Sequence, residues 1–136
     1  MTKDPRQRLK DRRILVIEDE YFLADDLKRV LSSEGAHVIG PTGDRAEAIK
    51  LIDRDGFEIA VIDINLHDEL AYPLADELER KGIPFVFATG YSRDVIPDRF
   101  ARVLRWEKPY ELRGIVDGLV GLCERSMRGV RRPIAE

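Results

Sequence analysis

The sequence predicts an α/β domain, a five-stranded parallel sheet covered by helices on both faces. Three observations lead there. Five short apolar runs alternate with longer segments whose apolar residues recur at helical spacing. Each run is too uniformly apolar to be a half-exposed strand, so both of its faces must be covered. At 136 residues and 43% hydrophobic content, the chain has enough material for one self-contained core and no length left for a second.

The elements follow in order. Arg13 to Ile17 is a buried strand that ends at once in Glu18, Asp19 and Glu20. Leu23, Leu27, Val30 and Leu31 then place a helix over Tyr21 to Glu34, with Gly35 as its stop. Ala36 to Ile39 is the second strand. Asp44 and Glu47 have the spacing of a capping box, opening a helix through Ala48, Ile49 and Ile52. Glu58 to Ile62 is the third strand. Leu70, Leu74 and Leu78 mark the next helix, with Pro73 near its first turn and Gly82 closing it. Pro84 to Ala88 and Val103 to Trp106 are the fourth and fifth strands, with a short helix between them around Arg93 to Phe100. The last helix carries Leu112, Ile115, Val116, Leu119, Leu122 and Cys123. It is weak by propensity, because Gly114, Gly118 and Gly121 each cost about 1 kcal/mol relative to Ala.

Charge divides the chain further. Residues 14–124 hold 13 Lys and Arg against 23 Asp and Glu, a net of −10, while residues 1–13 contribute +4 and residues 125–136 contribute +3. The expected organisation is a basic N-terminal tail over residues 1–12, a domain over residues 13–125 and a basic C-terminal tail over residues 126–136, both tails solvated. An acidic body argues against nucleic acid as its ligand, since duplex binding needs a basic face. No apolar run is long enough to span a bilayer and the N-terminus lacks a signal-peptide core, so a cytoplasmic protein without membrane contact is expected. Cys123 has no intrachain partner and no zinc-ligand spacing with His37 or His67, and is read as a buried structural thiol. His37 is read as structural.

In an open parallel sheet, ligands bind beyond the carboxyl ends of the strands. Those positions here hold Glu18 and Asp19 after the first strand, Asp63 after the third, Thr89 and Gly90 after the fourth, and Lys108 with Pro109 after the fifth. Carboxylates converging at one edge repel one another unless a cation lies among them, and hard oxygen donors suit Mg²⁺.

These residues, in this order, resemble the receiver family of two-component response regulators over roughly residues 13–124. The matching positions are Glu18 and Asp19 after I-L-V-I, Asp63 in A-V-I-D-I-N, Thr89 in F-A-T-G, and Lys108 in K-P. The resemblance implies a flavodoxin-like (CheY-like) doubly wound sheet of strand order 2-1-3-4-5. It implies that Asp63 accepts a phosphoryl group and that Mg²⁺, or Mn²⁺, is held by Asp19, Asp63 and the backbone carbonyl of Asn65, with Glu18 acting directly or through water. Lys108 would neutralise phosphoryl charge, Thr89 would turn inward to bond a phosphoryl oxygen, and the Lys108-Pro109 peptide would be cis.

Two departures from the family pattern stand out. Arg105 occupies the position where most receivers carry a Tyr or Phe that rotates on activation. The segment P-F-V-F-A-T-G-Y at Pro84 to Tyr91, with Tyr72 and Pro73, resembles instead the FATGUY subgroup of single-domain receivers, associated with HWE-type and related sensor histidine kinases and with general stress signalling. Tyr91 and Arg105 are therefore candidate switch residues beside Thr89. His67 and Ala71 replace the usual Pro and Gly in the loop after Asp63, and His67 is most simply an exposed loop residue. Trp106 is expected to border the site.

Competing classes are weaker. A haloacid-dehalogenase phosphatase needs a second Asp where this chain has Asn65, and a flavodoxin's phosphate loop is incompatible with Glu18, Asp19 and Glu20. A receiver-like scaffold that binds partners without phosphorylation stays open. The expected protein is a phospho-acceptor rather than a conventional enzyme. A sensor histidine kinase or histidine phosphotransfer protein would phosphorylate it. With no output domain expected after Glu136, it would signal through protein contacts or serve as a phosphate sink or relay. The last helix's glycines would admit a close partner, and the chain would be a monomer or weak dimer.

Overall fold

The computed structural model describes residues 7–91 and 95–129, with side chains as far as residue 125. The elements are β1 (Arg13–Ile17), α1 (Tyr21–Ser33), β2 (His37–Thr42), α2 (Arg45–Arg54), β3 (Ile59–Ile62), β4 (Asn65–Leu66), β5 (Glu69–Leu70), α3 (Tyr72–Lys81), β6 (Phe85–Thr89), β7 (Arg105–Glu107) and α4 (Leu112–Gly129), with a 3₁₀ turn at Asp98–Phe100. The main sheet runs β2-β1-β3-β6-β7 and every pairing in it is parallel. Counted without the small β4-β5 hairpin, that is the expected order 2-1-3-4-5.

The uniformly apolar strands are explained by two cores. Leu15, Ile17, Ala60, Ile62, Phe85 and Phe87 face one way, into a cluster with Ala48, Ile52, Leu74 and Leu78 of α2 and α3. Ile14, Val16, Ile59, Val61, Val86 and Ala88 alternate with them, packing with Leu27 and Leu31 of α1 and Ile115, Val116 and Leu119 of α4. Period-2 alternation therefore sorts residues between two buried faces, and no polar face is left to read in the sequence.

Several expectations are corrected. Leu70 does not begin a helix. It ends the hairpin strand β5, 42% exposed, and α3 starts at Tyr72 with Pro73 in its first turn. Residues 7–12, expected as solvated tail, pack on the domain. Leu9 is wholly buried in the α1/α4 core, its N–H donates to the Glu34 carbonyl at 2.8 Å, and Arg8 pairs with Asp117 at 2.8 Å. α4 continues to Gly129, into the expected C-terminal tail. Between β6 and β7 the described residues are 3₁₀ at Val95 and over Asp98–Phe100, with no α-helix among them; Arg93 and its neighbours at 92–94 lie outside them. The capping box is not reciprocal. Asp44 accepts from the Ala46 N–H at 3.0 Å, while Glu47 takes a hydrogen bond from the Thr42 hydroxyl at 3.1 Å. His37 is exposed, its Nε2 4.0 Å from Asp11.

Two of the three glycines expected to admit a partner, Gly114 and Gly118, are already covered from within the fold. Trp106 of β7 lies across Gly114 and Gly118, where a Cβ would come within 3.3 Å of its indole nitrogen and 2.6 Å of Cζ2. The indole so occupied belongs to the α1/α4 core and is a packing residue. Cys123 is buried in the same core. None of the described helices is long and apolar enough to cross a membrane.

Candidate functional site

The carboxyl ends of β1, β3, β6 and β7 meet at one edge of the sheet. Glu18, Asp19 and Asp63 each offer a carboxylate oxygen within 4.8 Å of the others. Asp63 follows the central strand β3 and is 4% exposed, and Glu18 is 3% exposed. Such a concentration of negative charge is held by one ammonium: Lys108 Nζ lies 3.0 Å from Asp63 Oδ2, 3.2 Å from Glu18 Oε2 and 3.2 Å from Glu20 Oε1. Lys108 is placed by a cis peptide to Pro109 and by its own N–H, which donates to the Thr89 carbonyl at 2.8 Å.

Electrostatics follow from this packing. Burial and the neighbouring Asp63 charge push the Glu18 carboxyl up to about 7, against the pull of the Glu20 N–H and Lys108. Burial works to lower Lys108, but its hydrogen bond to Asp63 and the charges of Asp63 and Glu18 outweigh it and raise the ammonium above its ordinary range. The Tyr110 phenol is also raised, by burial first and the Glu18 charge second.

Asp19 is positioned from two sides. Gly43, just after β2, sits against its backbone so closely that a Cβ there would lie 2.6 Å from the Asp19 Cα. On the other side, the β4-β5 hairpin turns through His67 and Asp68, both in the left-handed region at φ 48 and 67. A two-residue loop with both residues there is a type I′ turn, whose twist matches a tight hairpin. It aims the His67 N–H at Asp19 Oδ2, 2.7 Å away, with the exposed imidazole Nδ1 at 3.4 Å. Asn65 donates its N–H to Asp63 Oδ1 at 3.2 Å.

A cleft over these groups is lined by Asp19, Glu20, Asp63, Asn65, Gly90, Tyr91 and Lys108. Thr89, the last residue of β6, is wholly buried behind it, and its hydroxyl accepts the Tyr91 N–H at 3.2 Å. Arg105 is not in the cleft. Its Nη1 lies 3.3 Å from Glu107 and makes a long contact of 3.5 Å with the Tyr91 carbonyl, tying the segment after Thr89 to β7. Trp106 likewise turns away, toward α4.

A divalent cation fits this arrangement. Among the described residues, Glu18 Oε1 is buried without any hydrogen-bond partner, and three carboxylates surround the position with a single ammonium to offset them. A hard, oxygen-seeking ion such as Mg²⁺ or Mn²⁺ matches these donors. Sequence reasoning missed Glu20 as a partner of Lys108 and the His67 N–H as a partner of Asp19. The acidic run after β1 was a signal for the first, while the second depends on a turn geometry with none of its usual Asn-Gly signature.

Comparison with known proteins agrees with this architecture. No protein-family model matches the chain. The solved structure of SdrG from Sphingomonas melonis Fr1 is 32% identical and superposes with a TM-score of 0.69 over 83% of this chain and 97% of SdrG. A CheY-like response regulator receiver domain protein from Methanospirillum hungatei is 22% identical, with a TM-score of 0.77 over 88% of this chain and 98% of that one, a likeness of fold. The phyllosphere-induced regulator PhyR of Methylorubrum extorquens is 33% identical over 99 residues, which is 71% of this chain and 34% of PhyR. The chain spans less than half the length of the first curated relatives that it matches.

Proposed function

The chain belongs to the response-regulator receiver family, and we propose that it is a phospho-switch in which Asp63 accepts a phosphoryl group from a histidine kinase or a histidine phosphotransfer protein. The carrying observation is Asp63 itself, 4% exposed at the end of the central strand, 3.0 Å from Lys108 and grouped with Glu18 and Asp19. Phosphoryl transfer asks a protein for in-line positioning and neutralised charge, and little else.

In this reading the Asp63 carboxylate attacks phosphorus. Asp19 and Asp63 would hold Mg²⁺ together with the Asn65 carbonyl, Glu18 would contribute directly or through water, and an ion held there would supply positive charge to the phosphoryl group. Lys108 supplies the protein's own. Thr89 turns to donate its hydroxyl proton to a phosphoryl oxygen, the turn draws its oxygen away from the Tyr91 N–H, and the released Tyr91 segment, tied to Arg105, carries the change to a partner. This makes Thr89, Tyr91 and Arg105 the switch, with the domain occupying residues 13–125 together with the packed residues 7–12. The protein is then a signalling component acting through protein contacts. A place in general stress signalling, under an HWE-type or related kinase, is supported by the P-F-V-F-A-T-G-Y segment.

Intact-mass spectrometry after incubation with acetyl phosphate tests it. One Mg²⁺-dependent phosphoryl adduct is expected on the wild type and none on Asp63→Asn; a folded, Mg²⁺-binding wild type that forms no adduct would leave a scaffold that works unphosphorylated.

A further inference from the structure

Lys108 has three N–H donors, and all three are engaged, by Asp63, Glu18 and Glu20. An arriving phosphoryl oxygen must therefore displace one acceptor. The three are not equivalent. The Glu18 and Asp63 side chains are 2% and 5% exposed, whereas that of Glu20 is 62% exposed. A released Glu18 or Asp63 carboxylate keeps only its backbone partner, the Glu20 or the Asn65 N–H, and gains no hydration, while a released Glu20 recovers water at once.

A second observation sets Glu20 apart. It is the N-cap residue of α1, where a side chain usually accepts an orphan helix N–H, yet its side chain makes no capping bond. Its own N–H is held by Glu18 Oε2 at 3.0 Å, and its carboxylate extends instead to Lys108 at the wall of the cleft.

We propose that Glu20 is a specificity-determining residue for phosphotransfer: the displaceable counter-ion of Lys108, whose charge at the cleft disfavours small phosphodonors in proportion to their negative charge. The assignment rests on the phosphoacceptor reading of Asp63. In the reaction with acetyl phosphate, an Asp63 oxygen bonds to phosphorus as the phosphorus–oxygen bond to the acetyl group breaks. Acetate leaves with that electron pair, and no proton or co-reactant is required. With phosphoramidate the phosphorus–nitrogen bond breaks, and nitrogen that already carries three hydrogens leaves as ammonia. Near neutral pH acetyl phosphate is a dianion and phosphoramidate carries one net negative charge, so the two donors meet the Glu20 charge differently.

The test measures the rate of adduct formation with both donors, at fixed Mg²⁺, for the wild type, Glu20→Gln and Glu20→Asp. Glu20→Gln is expected to accelerate acetyl phosphate about tenfold and phosphoramidate about threefold, with the gap narrowing as salt rises. Glu20→Asp, which keeps the charge, should retain the wild-type preference between donors. Equal acceleration of both donors by Glu20→Gln, or no acceleration, overturns the assignment while the phosphoacceptor reading stands. Absence of any adduct on the wild type overturns that reading, and the assignment of Glu20 with it.

Discussion

The indole of Trp106 lies so close to Gly118 that a Cβ on the glycine would fall 2.6 Å from Cζ2 of the ring. Helix propensity alone would have Gly118→Ala stabilise α4 by about 1 kcal/mol. The overlap reverses the sign, and the variant is expected to lose roughly 1–3 kcal/mol. Gly121 supplies the control, because a Cβ there meets only the Arg125 guanidinium at 3.4 Å. Gly121→Ala should gain up to about 1 kcal/mol. Urea denaturation of the two variants beside the wild type checks both signs.

Leu9 is as buried as any residue of the sheet. Leu9→Ala is expected to cost about 2–5 kcal/mol in urea denaturation, the range of a core leucine. Arg8→Ala removes an ion pair whose side chains are 29% and 57% exposed and should cost less than about 1 kcal/mol. A cost for Leu9→Ala as small as that for Arg8→Ala would return residues 7–12 to the solvent.

A Cβ at Gly43 would press on the Cα and Cβ of Asp19, so Gly43→Ala shifts the residue that carries one carboxylate of the acidic group. Weakened Mg²⁺ binding, by about 10-fold or more, is expected in isothermal titration calorimetry, with the fold retained by circular dichroism.

Glu18 gives the site a pH dependence. Its folded-state carboxyl lies at about 7 against an ordinary 4.5, so the folded state binds this proton more tightly than the unfolded state. Relative to high pH, the resulting contribution to stability is complete below the unfolded value and is lost as pH rises through about 7. A cation among the carboxylates favours the ionised form. Mg²⁺ affinity should therefore rise from about pH 6 to about pH 8, with proton release on binding, and Glu18→Gln should flatten the profile. Calorimetry in two buffers of different ionisation enthalpy measures the released proton.

The hairpin turn makes Asp19 depend on a backbone N–H rather than on the imidazole. Replacing His67→Asn together with Asp68→Gly suits the two left-handed positions and is expected to stabilise the protein by about 1 kcal/mol in thermal denaturation. Mg²⁺ affinity should be preserved within about threefold, since the donated N–H remains. A large loss of affinity would assign the contact to the imidazole.

The sheet order was legible because each strand is a short apolar run ended by a polar residue, and a parallel sheet collects those ends at one edge. Asp63, Lys108 and Asp19 could be placed there without coordinates for that reason. The β4-β5 hairpin was not, because Leu70, Leu74 and Leu78 fall four residues apart and imitate a helix across a boundary at Tyr72. Leu9 was hidden by its basic neighbours, since one apolar residue among charges carries no periodicity. Trp106 and Gly118 meet across the fold, and such a pairing leaves no trace in local pattern. Glu20 sat in plain view, but its choice between capping α1 and reaching Lys108 is decided only in three dimensions.

Cys123 is the chain's single thiol, packed inside the α1/α4 core, and burial lifts it above the ordinary thiol range. At 7% exposure it is reached by a reagent in solvent chiefly when α4 lifts from the sheet, and only its thiolate reacts. The unaltered protein thus carries its own stopwatch: the labelling rate of Cys123 counts the openings of that face, without a tag or an introduced probe.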